Sequence, residues 1–346
     1  MTNSSRARPN TSNRPKNITQ SDVARLAGVS VMTVSRALSG TSRISPDTKE
    51  RIRIAMDELG YVYNTVAGSL RNQSSAMVAV VIPSVNDLVF GEILSGINSV
   101  LRPKGYFTTI GESFFDPEEE SKVVKSLLAM QPAGIMLTGG IHHKPELLEM
   151  LKKRKCPILQ MWDTDNLDFD YHVGPSQIEA GKMVADHFIE KAFQNVAYIG
   201  AELSKDVCAD QRFQTFRSCL FEAGIPVEAE TDDKLPRQPE SGKILTERLL
   251  TRCPNIRAIH YLNDPMALGG LSYLAANGLS APTDIAVAGF NGSTQKFSIR
   301  TKLTTVDVPK YEIGSVSGEK LLALLDNAES GEFSRSTLRL IRGDTT

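Results

Sequence analysis

Cysteine is scarce in this chain and nowhere closely spaced: Cys156, Cys208, Cys219 and Cys253 form neither a CxxC unit nor a disulfide framework. That excludes a zinc ribbon and a stapled secreted scaffold, and it points to a reducing cytoplasm. Long apolar runs are lacking as well. The segment Met1 to Lys16 is polar and carries Arg6, Arg8, Arg14 and Lys16, so it suits neither a signal peptide nor a membrane span. The common catalytic signatures are also missing: there is no HExxH, no GxSxG elbow, no Walker loop and no GxGxxG opening a helix. His142 and His143 follow a strand-like run in a loop, where a solvated pair is expected rather than a metal site. Neither an enzyme nor a bound cofactor is expected.

What is present is enough apolar material for more than one core. Of the 346 residues, 41% are hydrophobic and 23% charged. The formal net charge of −1 conceals an asymmetry. Residues 1–75 carry eleven Lys/Arg against five Asp/Glu, whereas the remainder carries 28 against 35. A cationic head on an anionic body suits a polyanionic partner for the head.

Residues 1–17 are rich in Ser, Asn, Arg and Pro and should form a disordered tail. From Ile18 the pattern turns helical. Thr19 with Asp22 reads as a capping box, and a short helix then runs to Ala27. Gly28 permits a left-handed turn, Ser30 caps a second helix over Val31 to Leu38, and the two helices must cross. Ser45-Pro46 opens a third helix, with Ile52, Ala55, Met56 and Leu59 on one face and Gly60 at its end. The crossed pair should pack on it through Val23, Leu26, Val29 and Val34.

Helix, glycine turn and second helix in so short a span describe a helix-turn-helix, whose second helix can enter a major groove. Val31, Met32, Thr33, Ser35 and Arg36 would then face the duplex. Arg36 can fork onto a guanine, Val31 and Met32 can pack on thymine methyls, and Thr33 and Ser35 suit phosphate oxygens.

From Met77 short β-branched runs alternate with amphipathic stretches, the pattern of parallel βαβ units. Strands are expected at 77–82, 106–110, 134–138, 157–161, 195–200, 258–262, 285–290 and 303–308, with helices between them, including 90–102, 118–130, 177–191, 211–223 and 265–277. So many units exceed one core, so an α/β body of two doubly wound parallel lobes with a cleft fits best. Strand count alone also allows a barrel.

The run Ile18-Thr-Gln-Ser-Asp-Val-Ala-Arg-Leu-Ala-Gly-Val-Ser-Val-Met-Thr-Val-Ser-Arg-Ala-Leu resembles the head of the lac repressor family almost position for position. The likeness continues through Ile44-Ser-Pro-Asp-Thr and Met56-Asp-Glu-Leu-Gly-Tyr-Val-Tyr-Asn and along the body, leaving only the first 17 residues outside it. It implies a DNA-binding domain over 18–62, a hinge over 63–75, and an effector-binding and dimerisation body over 76–346. That body would resemble periplasmic binding proteins, with lobe 1 at 76–173 plus 304–330 and lobe 2 at 174–303 plus 331–346.

In this family the hinge segment, here Asn64 to Arg71, becomes helical on the operator and wedges a leucine into the minor groove. Leu70 stands at that place, and Asn64 joins the DNA contacts. Thr65, often Arg in the family, and the helix-weakening Gly68 depart from the usual pattern.

For the body, the resemblance implies a ligand held between the lobes. Arg212, Asn263, Asp264 and Asn291 match the family's effector positions, with Lys205, Trp162 and Ser84 as weaker pocket candidates. Arg212 offers a planar fork to a carboxylate or to vicinal hydroxyls, and the two Asn side chains can donate and accept. Asp264 could instead cap the helix that follows it. Asn291 stands where many sugar-responsive members carry Asp, so a repulsion against anions is removed. The stretch Val287-Ala-Gly-Phe-Asn-Gly, with Leu303-Thr-Thr-Val and Val31-Met-Thr-Val-Ser-Arg, looks most like the gluconate-operon repressors.

The resulting expectation is a cytoplasmic repressor that binds a near-palindromic double-stranded operator and answers to a sugar or sugar-acid effector, without contact to membranes. Tetramer-forming family members end in a leucine heptad tail. This chain ends after Arg339-Leu-Ile-Arg-Gly-Asp without one, so a homodimer is expected. The competing reading is a standalone soluble sugar-binding protein with no role in gene regulation.

Overall fold

A computed structural model of the chain describes residues 18–39, 44–62, 75–154, 156–166, 169, 171–293, 301–328 and 333–346. The proposed tail and the hinge residues Asn64, Thr65, Gly68 and Leu70 lie outside the described residues. The chain divides into two compact units, residues 1–75 and 76–346.

The first unit is built from α1 (Gln20–Ala27), α2 (Val31–Ser39) and α3 (Pro46–Leu59). The Asp22 carboxylate accepts from the Thr19 backbone N–H at 3.0 Å and from the Thr19 hydroxyl at 2.7 Å, closing the start of α1. Gly28 ends that helix at φ +64°, a left-handed conformation that costs glycine nothing. Ser30 Oγ accepts from Thr33 N–H at 3.1 Å at the start of α2, and Ser45 Oγ accepts from Thr48 N–H at 3.3 Å at the start of α3. Arg51 of α3 donates to the carbonyls of Ala27 and Gly28, covering the acceptors that the end of α1 leaves open.

The core of this unit holds Val23, Ala24, Ala27, Val34, Ile52 and Ala55, with Val29 packed against it. Leu26 was expected there and is instead 48% exposed. At 100° per residue the inward face of α1 centres between Val23, Ala24 and Ala27, and Leu26 falls well to one side of it.

The second unit carries two six-stranded sheets. Its strands are β1 (Met77–Ile82), β2 (Phe107–Glu112), β3 (Gly134–Thr138), β4 (Ile158–Met161), β5 (His172–Gly174), β6 (Val196–Ala201), β7 (Val227–Asp232), β8 (Ala258–Tyr261), β9 (Ala286–Asn291), β10 (Thr304–Asp307), β11 (Phe333–Arg335) and β12 (Arg339–Ile341). The first sheet runs β11-β5-β4-β3-β1-β2 and is parallel throughout. The second runs β12-β10-β9-β8-β6-β7, parallel except for the antiparallel edge strand β12.

Among the described residues eight α-helices connect them: α4 (Leu88–Leu101), α5 (Pro117–Ala129), α6 (Pro145–Lys152), α7 (Gln177–Glu190), α8 (Val207–Glu222), α9 (Pro239–Arg252), α10 (Asp264–Ala276) and α11 (Lys310–Leu325). Every residue of β1, β3, β6 and β9 is buried, as strands covered on both faces require. Among the described residues no helix is long and apolar enough to cross a membrane.

The chain passes between the lobes three times: between β5 and α7, between β10 and α11, and between β11 and β12. Two of these crossings differ from the expected lobe limits. Thr304–Asp307 was assigned to lobe 1, yet β10 lies in the second sheet, paired with β9 from Thr304↔Ala288. Phe333–Arg335 was assigned to lobe 2, yet β11 pairs with β5 in the first sheet. An apolar run specifies that a strand forms, but not which sheet receives it.

Candidate functional site: a cleft between two lobes

Open parallel sheets leave a crevice beyond the carboxyl ends of their strands, and both sheets turn those ends toward one cleft. Asp87 follows β1, Phe115 follows β2 and Trp162 follows β4. From the other lobe come Asp206 after β6, Arg237 after β7 and Asn263 after β8, with Asn291 ending β9; all line the cleft together with Arg212. Aromatic faces of Phe90, Trp162, Phe115 and Phe290 enclose it.

Arg212 sits in α8 and is 4% exposed. It donates to Gln177 Oε1 at 2.6 Å and to the Leu262 carbonyl at 3.4 Å, and its Cζ lies 3.7 Å from the centre of the Phe290 ring. Its Nε has no hydrogen-bond partner among the described residues, and no carboxylate there pairs with it. Burial pulls its pKa below the ordinary guanidinium value.

Arg237 is neutralised differently. It donates to Asp206 Oδ2 at 2.5 Å and to the Glu202 carbonyl at 3.0 Å, and Glu202 Oε2 stands 3.6 Å from its Nε. Burial opposes its charge, but Asp206 and Glu202 outweigh burial and hold its pKa above the ordinary value. Asp87 caps α4 by accepting from Val89 N–H at 3.0 Å, and burial raises its carboxyl above the usual carboxylate range.

Asn291 adopts φ +96°, rare for a residue other than glycine, and its Oδ1 is buried without a partner among the described residues. Its carbonyl accepts from the buried Lys310 ammonium at 2.5 Å. Asn291 and Arg212 both line the cleft, so an acceptor and a guanidinium, each lacking a partner of its own kind among the described residues, stand available to one ligand.

Of the sequence-predicted effector residues, the structure brings Arg212, Asn263 and Asn291 together on the cleft. Asp264 is not on its wall. It is fully buried behind it, where its Oδ1 accepts from Thr305 Oγ1 at 2.6 Å and its Oδ2 faces Ser293 Oγ at 3.5 Å. It is not the cap of α10 either. Asn263 has that role, its Oδ1 accepting from Met266 N–H at 2.9 Å while its Nδ2 donates to the Arg237 carbonyl at 3.3 Å.

Trp162 lines the cleft, and Lys205 lies at an outer pocket, paired with Glu202 at 3.2 Å. Ser84 does not line the cleft; it lies in the turn after β1, where its Oγ accepts from Asn86 N–H at 3.2 Å. The expected solvated histidine pair is half right. His142 is exposed, but the His143 side chain is buried and its Nδ1 lies 2.7 Å from Glu120 Oε2.

Sequence reasoning missed Arg237, Asp206, Asp87 and Gln177. Asp206 and Asp87 each precede a helical run and could have been read as caps; Arg237 lies in a loop without any such signal.

In the first unit Val31 is 44% and Met32 61% exposed on α2, and Arg36 is exposed as well, while Val34 points into the core. Thr33 and Ser35 are half-buried, the Thr33 hydroxyl lying 2.8 Å from Ser30 Oγ. One face of the second helix thus presents apolar and guanidinium groups outward.

Residues 19–64 match the model of bacterial regulatory proteins of the lacI family, and residues 185–346 match that of the periplasmic binding protein-like domain. The HTH-type transcriptional regulator GntR of Pseudomonas aeruginosa is 34% identical over 320 residues, 92% of each chain. GntR of Escherichia coli is 30% identical over 303 residues, 87% of this chain and 90% of the relative. A crystal structure of a LacI family transcriptional regulator from Silicibacter pomeroyi superposes with a TM-score of 0.90 at 32% identity, covering 95% of this chain and 99% of the other. The lac repressor dimer bound to operator shares the fold, with a TM-score of 0.81 at 24% identity over 95% of this chain and 99% of that one. The helix-turn-helix head, the two-lobed body and these relatives together make the chain a member of the lacI family of bacterial regulatory proteins.

Proposed function

We propose that the chain is a transcriptional repressor that binds a near-palindromic operator as a homodimer and is controlled by a sugar acid, gluconate or a related aldonate. Arg212 is the observation that carries the effector class. Among the described residues this buried guanidinium has no carboxylate partner, which is costly, and an effector carboxylate reaching its fork supplies an anion. Asn291 Oδ1 and the Asp87 carboxylate accept from hydroxyls, and the surrounding rings cover the C–H faces of the chain. Asn263, tied to the Arg237 carbonyl, holds the wall on which these groups stand. The regulators named GntR support the same reading.

On the operator, Arg36, Val31 and Met32 read base edges in the major groove, and Thr33 and Ser35 meet phosphates. Asn64 and Leu70 contribute the minor-groove contact of the hinge. Regulation is a population shift, in which the effector changes operator affinity only as far as it binds two conformations of the body unequally.

The test is a thermal-shift screen of sugar acids, phosphosugars and neutral sugars, followed by operator titration with each hit. A ligand that binds the folded state raises the melting temperature by mass action. Aldonates should give the largest shift and change operator affinity. Stabilisation by neutral sugars alone would overturn the sugar-acid assignment.

A further inference from the structure

Two consecutive phenylalanines, Phe114 and Phe115, both adopt φ +53° between β2 and α5. Left-handed backbone is uncommon for bulky side chains, and a pair of such residues persists only where the surroundings impose it. The surroundings here do so. Phe114 N–H donates to the Pro83 carbonyl at 2.9 Å, Asp116 N–H donates to the Ser113 carbonyl at 2.8 Å, and the Asp116 side chain caps α5.

The outcome is that Phe115 of lobe 1 lies against Arg237 of lobe 2, with the guanidinium carbon 4.3 Å from the ring centre. Arg237 is fixed in that position by Asp206 and Glu202. Phe115 also lines two cavities. One is the inner cleft with Arg212 and Trp162; the other is an outer pocket formed by Phe114, His142, Ser204 and Lys205.

We propose that the Phe115–Arg237 stack is a partition that separates the inner cleft from this outer pocket and limits the effector to the length of a single sugar acid. The inference builds on the effector class assigned above. The backbone strain at Phe114 and Phe115 is retained because it sets the Phe115 ring of one lobe against the Arg237 guanidinium of the other, between the two cavities that Phe115 lines. Without the ring, inner and outer cavities join into a longer groove. Its far end, with Lys205, Ser204 and His142, is polar enough to receive a second sugar unit.

The sole tryptophan of the chain, Trp162, lies on the inner side and reports on the partition without any ligand. In the full-length protein, Phe115→Ala should raise the Stern–Volmer constant for acrylamide quenching of Trp162, whereas Phe115→Leu, which keeps most of the bulk, should leave it near the wild-type value. Equal quenching in wild type and Phe115→Ala overturns the partition.

Calorimetric titration with gluconate and with the two-sugar acid lactobionate tests the length limit. The wild type should bind gluconate and reject lactobionate. Phe115→Ala should bind lactobionate at least about tenfold more tightly than the wild type does, the scale on which a pocket discriminates by size. Gluconate binding with lactobionate equally rejected or equally accepted by both proteins overturns the length limit alone. Increased quenching in Phe115→Ala with no aldonate bound by the wild type supports the partition and overturns the effector class.

Discussion

Single side chains decide what the cleft can hold. Arg212 and Arg237 are neighbours of the same chemistry, yet Arg237 is held by two carboxylates while Arg212 has a carboxamide, a carbonyl and an aromatic face. Arg212→Ala should leave operator binding unchanged and weaken effector binding by about 2–5 kcal/mol, the cost of truncating a buried charge-pair partner. Operator titrations with and without gluconate check this, and a variant that responds at unchanged gluconate concentration refutes the site. In the head, Arg36→Ala should cost about 1–3 kcal/mol at one base pair per half-site. A panel of single-substituted operators separates that result from the uniform loss expected of a phosphate contact. At this scale the sequence was legible for Arg212, Asn263 and Asn291 because the family resemblance carries their positions. It was not legible for Asp264, whose carboxylate turns away toward Thr305, or for Arg237, whose placement depends on Asp206 from a different loop.

Secondary-structure elements show why some boundaries could be read and others not. The caps at Thr19, Ser30 and Ser45 and the stop at Gly28 are local chemistry, and they formed as the residues prescribe. β7 was invisible because Val-Glu-Ala-Glu-Thr-Asp forms a sheet edge with little buried surface, and β5, β11 and β12 are too short to give a period. The close pairing of α4 with α11 is another feature that only the fold reveals. Gly314 faces the Ile93 carbonyl so closely that a Cβ would collide with backbone, and Gly96 faces the Tyr311 carbonyl in the same way. Gly96→Ala should therefore lower stability by about 1–3 kcal/mol in denaturant titration, as overpacking does. Gly91→Ala, in the same helix with open space around it, should instead be neutral or stabilise by up to about 1 kcal/mol. If both substitutions behave alike, helix propensity rather than close packing governs α4.

At the scale of the whole molecule, a buried histidine in the second lobe predicts a loss of stability in acid. His260 is fully buried between Tyr198 and Phe216, with Nδ1 3.4 Å from the Ala288 carbonyl, and burial lowers its pKa to about 3. The unfolded chain takes up this proton near the ordinary value of 6.5, so between pH 6.5 and about 3 the unfolded state binds more protons. Stability is therefore unaffected by this group above pH 6.5 and falls as the pH drops through that window, by up to about 1.4 kcal/mol per pH unit. His260→Asn should flatten that slope in denaturation midpoints measured across the window, even if it lowers stability near neutrality; an unchanged slope assigns the lability to other groups.

Two of the three passages between the lobes contain a proline, Pro175 before α7 and Pro309 before α11, whereas Ser336 to Leu338 on the third passage contains none. A pyrrolidine ring fixes φ, so two of the three spans have surrendered one of their soft torsions. Whatever turning of one lobe on the other a ligand demands therefore falls on the torsions that remain, above all those of Ser336 to Leu338, the strap left without a ring.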